Sequence, residues 1–165
     1  MKIYIVNGFP GVGKTSFEKF LCEIVGEDKC VMYSSIDYVK EVARFCGWNG
    51  VKDDASRRFL SELKRSLTLW NDVPYKSVVQ EIECARNEGK KVMLIDCREP
   101  DEIHRFCKEQ GAQALVIRRS NEHGANNYSD MAVLDAVYDF EIWNDGSLED
   151  LKAAAREFCK TEGLV

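Results

Sequence analysis

Near the start of the chain, Gly8-Phe9-Pro10-Gly11-Val12-Gly13-Lys14-Thr15 fits the pattern G-x-x-x-x-G-K-S/T without a gap. Few short motifs constrain a fold so tightly. The loop must leave a strand and open a helix, so that its backbone N–H groups and the helix N-terminus together wrap a phosphate. The flanks agree. Lys2 to Asn7 is a short apolar run that predicts a buried strand. From Lys14 to Val25, the residues Phe17, Phe20, Leu21, Ile24 and Val25 recur at helical spacing, and Gly26 ends the run. In such a loop Gly8, Pro10, Gly11, Val12, Gly13, Lys14, Thr15 and Ser16 are expected to hold nucleotide phosphates. Lys14 reaches the outer phosphates, and the Thr15 hydroxyl is a ligand for Mg2+.

The rest of the chain alternates in the same way. Cys30 to Ile36 predicts a second strand. Asp37 opens a helix that turns Val39, Val42, Ala43 and Cys46 inward and stops at Gly47. Asp53 or Asp54 is a cap for a helix with Phe59, Leu60, Leu63 and Leu67 on one side. Pro74 suits the first turn of the next helix, which carries Val78, Val79, Ile82 and Ala85. Val92-Met93-Leu94-Ile95 is a continuous apolar run, as in a central parallel strand. Pro100 begins a helix with Ile103, Phe106 and Cys107 inward, ending at Gly111. Ala114 to Ile117 is a fourth strand, and Phe140, Ile142 and Trp143 belong to a fifth. Ser147 and Asp150 form a capping box before a last helix bearing Leu151, Ala155 and Phe158. Strands alternating with helices predict an α/β fold: a three-layer α/β/α P-loop sandwich on a parallel five-stranded sheet.

At 165 residues the chain suits one domain, since domains run to roughly 100–200 residues. A helical insert at about 37–72 and a short lid at about 118–137 fit within it. The net charge of −5 argues against a nucleic-acid binder, which would show a basic face. It is unevenly spread: residues 120–165 hold three Lys or Arg against ten Asp or Glu, and 120–151 hold no Lys or Arg. No apolar run approaches the ~18 residues of a membrane span, so no membrane partner is expected. The seven cysteines are scattered, odd in number and never in a C-x-x-C pair. The expectation is reduced thiols, mostly core filler, in a cytoplasmic protein. Trp48 and Trp70 are expected to pack rather than to stack on a base.

Four apolar residues followed by Asp96 make a Walker B pattern, whose aspartate holds Mg2+ beside the loop. No N-K-x-D motif occurs, so a small GTPase is excluded. Phosphoryl transfer needs cations around the phosphates. Arg98 follows the Asp96 strand end, where open α/β sheets bind substrates. Arg118 and Arg119 end the fourth strand, within reach of the nucleotide phosphates. Asp37 has two readings, a helix cap or a group that faces an acceptor hydroxyl. Arg44 and Arg65 read as solvated surface, and His104 and His123 as surface or loop histidines.

At these residues the chain resembles the nucleoside monophosphate kinase-like P-loop family, in which the loop takes the form G-x-P-G-x-G-K. Five further segments resemble the phage-type deoxynucleoside monophosphate kinases: 36–41, 47–53, Arg57-Arg58, 96–100 and 144–151. The resemblance implies an adenylate kinase-like fold, Mg-ATP as donor and a small phosphorylated acceptor. It implies that Gly11, Gly13, Lys14 and Thr15 hold ATP, that Asp37 and Arg98 face the acceptor, and that Arg57 and Arg58 help enclose the acceptor phosphate. Lids of that family carry several arginines, and this chain offers only Arg118 and Arg119 at the lid's base. Two alternatives stand beside a nucleotide kinase. One is a kinase of dephospho-coenzyme A or another metabolite. The other is an ATP-binding regulatory protein with little turnover.

Overall fold

The computed structural model describes residues 1–51, 53–120, 133, 134 and 136–165. Lys52, His123 and most of the expected lid lie outside the described residues. Five strands form one all-parallel sheet: β1 Lys2–Asn7, β2 Cys30–Ser34, β3 Val92–Asp96, β4 Gln113–Arg118 and β5 Phe140–Trp143, in the spatial order β2-β3-β1-β4-β5. Six α-helices stand among the described residues: α1 Lys14–Val25, α2 Asp37–Phe45, α3 Asp54–Asn71, α4 Val73–Asn87, α5 Pro100–Gln110 and α6 Leu148–Thr161.

Alternate side chains of each strand feed two cores. On one face Tyr4, Val6, Leu94, Leu115 and Ile117 meet Phe17 and Leu21 of α1 and Leu151 and Phe158 of α6. On the other, Ile3, Ile5, Met93 and Ile95 meet Val78 and Ile82 of α4 and Ile103 and Phe106 of α5. The expected three-layer α/β/α P-loop sandwich is therefore the observed fold. No helix among the described residues is long and apolar enough to cross a membrane.

Local chemistry sets the boundaries. The Asp53 side chain accepts from the Ser56 N–H at 2.7 Å and starts α3. Pro74 sits in the first turn of α4. Both halves of the Ser147/Asp150 capping box are made at the start of α6.

Four expectations are corrected. The second strand stops at Ser34 rather than Ile36, because the Asp37 carboxylate takes the Ser34 N–H at 2.9 Å and turns the chain into α2. Helix α3 has no buried residue: it rests on α2 and α4 rather than on the sheet, so Leu60, Leu63 and Leu67 are only half-buried and Phe59 is exposed. For the same reason Trp70, near its end, is 84% exposed instead of packed. Cys46, expected to face inward, is exposed where α2 ends. Trp48 is half-buried, with the Arg44 guanidinium 5.7 Å from its ring centre.

The fourth correction concerns the thiols. Cys22 and Cys30 form a disulfide, with their Cα atoms 5.2 Å apart. Helix α1 returns into β2 through one short 3-10 turn, Glu27–Lys29, so residues eight apart come to face each other. The other five cysteines are free.

Candidate nucleotide-phosphate site

Strand β1 ends at Asn7, which is fully buried. Its Oδ1 accepts from the Gly8 N–H at 2.8 Å, and its Nδ2 donates to the Tyr138 hydroxyl at 2.8 Å. Tyr138 donates in turn to the Val133 carbonyl at 2.9 Å, and burial pushes its phenol up to about 12. The mouth of the loop is thus tied to the segment before β5. Gly8 has φ +141°, and a Cβ there would stand 2.4 Å from the Ile117 carbonyl oxygen. Only glycine allows β4 and the loop to approach so closely. Gly13, at φ +102°, precedes α1 and has the same constraint: a Cβ would meet Asn144 Nδ2 at 2.5 Å.

Lys14 is buried at the start of α1, and its ammonium donates to the carbonyls of Gly8 at 2.7 Å and Phe9 at 3.0 Å. Thr15 is exposed on the next residue and Ser16 is half-buried. Pro10 and Gly11 are exposed at the loop tip and Val12 is buried.

The sheet brings Asp96 alongside. Parallel pairing sets Val6 against Asp96, so the end of β3 lies next to the residue that leads into the loop. Asp96 Oδ1 is buried and has no hydrogen-bond partner among the described residues. A buried carboxylate oxygen left unpaired costs free energy unless something satisfies it. A hard cation prefers carboxylate and hydroxyl oxygen, so this orphaned atom and the Thr15 hydroxyl fit Mg2+.

Glu18 adds a second buried carboxyl. It lies one turn beyond Lys14 on α1 and is 5% exposed. Burial, with Asp96 adding and Lys14 opposing, pushes its carboxyl up to about 7. The sequence reading missed Glu18. Its signal was its position: 14, 18, 21 and 25 lie on one helical stripe, and a glutamate on an apolar stripe needs a reason.

The arginines are differently placed. Arg98 is half-buried, two residues beyond Asp96. Arg118 is paired with Glu141 and lies 6.0 Å from the Tyr138 ring centre. Arg119 is exposed, near enough to Asp145 to help hold that carboxyl low, chiefly behind the hydrogen bonds from Ser120. Arg57 and Arg58 are exposed on the first turns of α3, and Arg57 reaches Asp54 at 3.5 Å. Asp37 opens α2 but does not cap it: one oxygen accepts from the upstream Ser34 N–H and the other from Lys40 at 2.8 Å, and the cap position, Ile36, makes no side-chain hydrogen bond.

A second polar cluster lies just past Asp96. Lys64 of α3, with its side chain 13% exposed, bridges Glu99 at 3.1 Å and Glu102 at 2.9 Å. Burial alone would lower its ammonium, but Glu102 and Glu99 outweigh that and raise it. The Cys97 thiol donates to Glu102 at 3.4 Å, and burial pushes that thiol well up. Cys97, Glu99 and Glu102 converge closely enough to suit a metal ion, but the Lys64 ammonium already bridges the two carboxylates.

No family model and no curated protein matches the chain. Among solved structures it is similar to the APS kinase CysC of Mycobacterium tuberculosis, with 14% identity, 96% of each chain covered and a TM-score of 0.45. A likeness of that size speaks to neither activity nor acceptor.

Proposed function

We propose that this chain is an ATP-dependent phosphotransferase that moves the γ-phosphoryl of Mg-ATP to a small phosphorylated acceptor, in first place a (deoxy)nucleoside monophosphate. One observation carries the reading: a complete glycine loop between β1 and α1 stands beside an aspartate with a buried, unpaired oxygen at the end of the neighbouring strand. In this reading the backbone from Gly8 through Gly13, with Pro10, Gly11 and Val12 at the tip, cradles the phosphates. Ser16 and Arg119 add donors. Lys14 exchanges the Gly8 and Phe9 carbonyls for phosphate oxygens, a trade of neutral acceptors for anionic ones. Thr15 and Asp96 would hold the magnesium, which when bound neutralises phosphate charge.

Arg98, at the end of β3, and Arg118 would supply cations to the transferring group. Asp37 would orient the acceptor once it releases Lys40. Arg57 and Arg58 would draw the acceptor phosphate from solvent. The transfer is mainly positioning and charge neutralisation, so no protein nucleophile is required.

The test is a panel of mono-phosphorylated acceptors, nucleoside monophosphates and dephospho-coenzyme A among them, scored for acceptor-dependent ADP formation. A response to dephospho-coenzyme A alone would make this a metabolite kinase. A second reading, an ATP-binding regulatory protein, draws on the absence of Lys and Arg over 120–151 and on the Arg118–Glu141 pair. Tight ATP binding with no response to any acceptor would favour it.

A further inference from the structure

A phosphate loop works only if its N–H groups face the ligand. In a planar trans peptide the C=O and N–H point opposite ways, so each inward N–H obliges the carbonyl of the same unit to face outward. An outward carbonyl that meets protein instead of water needs a donor. For the unit joining Val12 to Gly13 that donor is Asn144, whose Nδ2 donates to the Val12 carbonyl at 2.8 Å. Asn144 directly follows β5 and is 8% exposed. Its own N–H donates to the Arg118 carbonyl at 2.8 Å, which fixes it to the end of β4. On the loop side there is no slack, since even a methyl group at Gly13 would collide with the amide nitrogen, and Leu151 closes the remaining space at 3.3 Å.

We propose that Asn144 is a positioning residue for the nucleotide phosphates. By holding the Val12 carbonyl outward, it aims the Gly13 N–H into the loop. The proposal rests on the nucleotide-binding reading above. It requires a donor at this position, and an aspartate of the same shape would set oxygen against oxygen.

The experiment compares wild type, N144D and the control I82A by calorimetric titration with Mg-ATP. In parallel, the Gly13 amide resonance is followed by NMR as inorganic pyrophosphate is added. Ile82 lies in the opposite core, so I82A measures what lost stability alone does. N144D should weaken Mg-ATP binding about tenfold, the order expected for one misaligned hydrogen-bond donor. The pyrophosphate-induced shift of Gly13 should fall by more than half. I82A should lower the melting temperature but leave both readouts as in wild type. Should N144D not fold, N144A takes its place with the same expectation. Unchanged binding and an unchanged Gly13 shift in the folded variant would overturn the proposal while leaving the nucleotide reading intact. Wild type that binds neither Mg-ATP nor pyrophosphate would overturn both.

Discussion

Replacing Glu18 by glutamine isolates one titration. The side chain is 5% exposed, and burial with help from Asp96 lifts its carboxyl from the ordinary 4.5 to about 7. Between those values the folded protein keeps a proton that the unfolded chain has released. Stability from this group is therefore fully present below about 4.5, falls as pH rises toward 7, and is flat above. At about 1.4 kcal/mol per pH unit the loss is on the order of 3 kcal/mol. Glutamine has nearly the same shape and no proton to lose, so Glu18→Gln removes that loss. Urea unfolding from pH 4.5 to 8, with chelator present so that no cation intervenes, gives the difference between variant and wild type. Other titrating groups cancel in that difference. The expected result is near-equal stability at pH 4.5 and a variant about 3 kcal/mol more stable at pH 8, roughly 6–12 °C in Tm for a domain of this size. A variant that keeps the wild-type slope between pH 5 and 7, or that is the less stable protein at pH 8, refutes the reasoning.

The disulfide predicts that the denatured, unreduced chain shows five titratable thiols and seven after reduction; seven without reductant would rule out the bridge. Removing it with Cys22→Ser should cost roughly 2–3 kcal/mol, because the closed loop is short. Lys64→Met should cost about 2 kcal/mol by leaving Glu99 and Glu102 facing each other without their cation. It should also speed amide exchange in α3 selectively, since that helix has no buried residue to hold it; unchanged exchange there would mean the ion pairs do not anchor it.

The sheet and its helices were legible because local pattern governs them. The run Val92 to Ile95 needs burial on both faces, and Gly13-Lys14-Thr15 can only open a helix. Helix α3 was legible as a helix but not as an exposed one: the spacing of Leu60, Leu63 and Leu67 tells which side is apolar, not what covers it. The Cys22–Cys30 bridge depends on how tightly α1 returns into β2, which periodicity does not encode. In the site, Lys14, Thr15 and Asp96 could be named because one contiguous motif and one strand end carry them. Glu18 and Asn144 could not, because their roles come from partners that the fold supplies: Asp96 at the end of β3 for the first, and Val12, 132 residues away, for the second. Asp37 begins α2, as its sequence position implies, but its carboxylate turns back to the Ser34 N–H and to Lys40 instead of capping the helix, which depends on how β2 ends and not on local pattern.

The central claim, that the loop serves phosphoryl transfer, is tested most directly by following γ-labelled ATP. Wild type and Lys14→Ala are each incubated with magnesium and a nucleoside monophosphate, and the products are separated. Label is expected on the acceptor with wild type and at least a hundredfold less with Lys14→Ala, in line with the loss of a phosphate-clamping cation. Transfer that survives the loss of Lys14, or a wild-type chain that moves no label to any mono-phosphorylated acceptor, would contradict it.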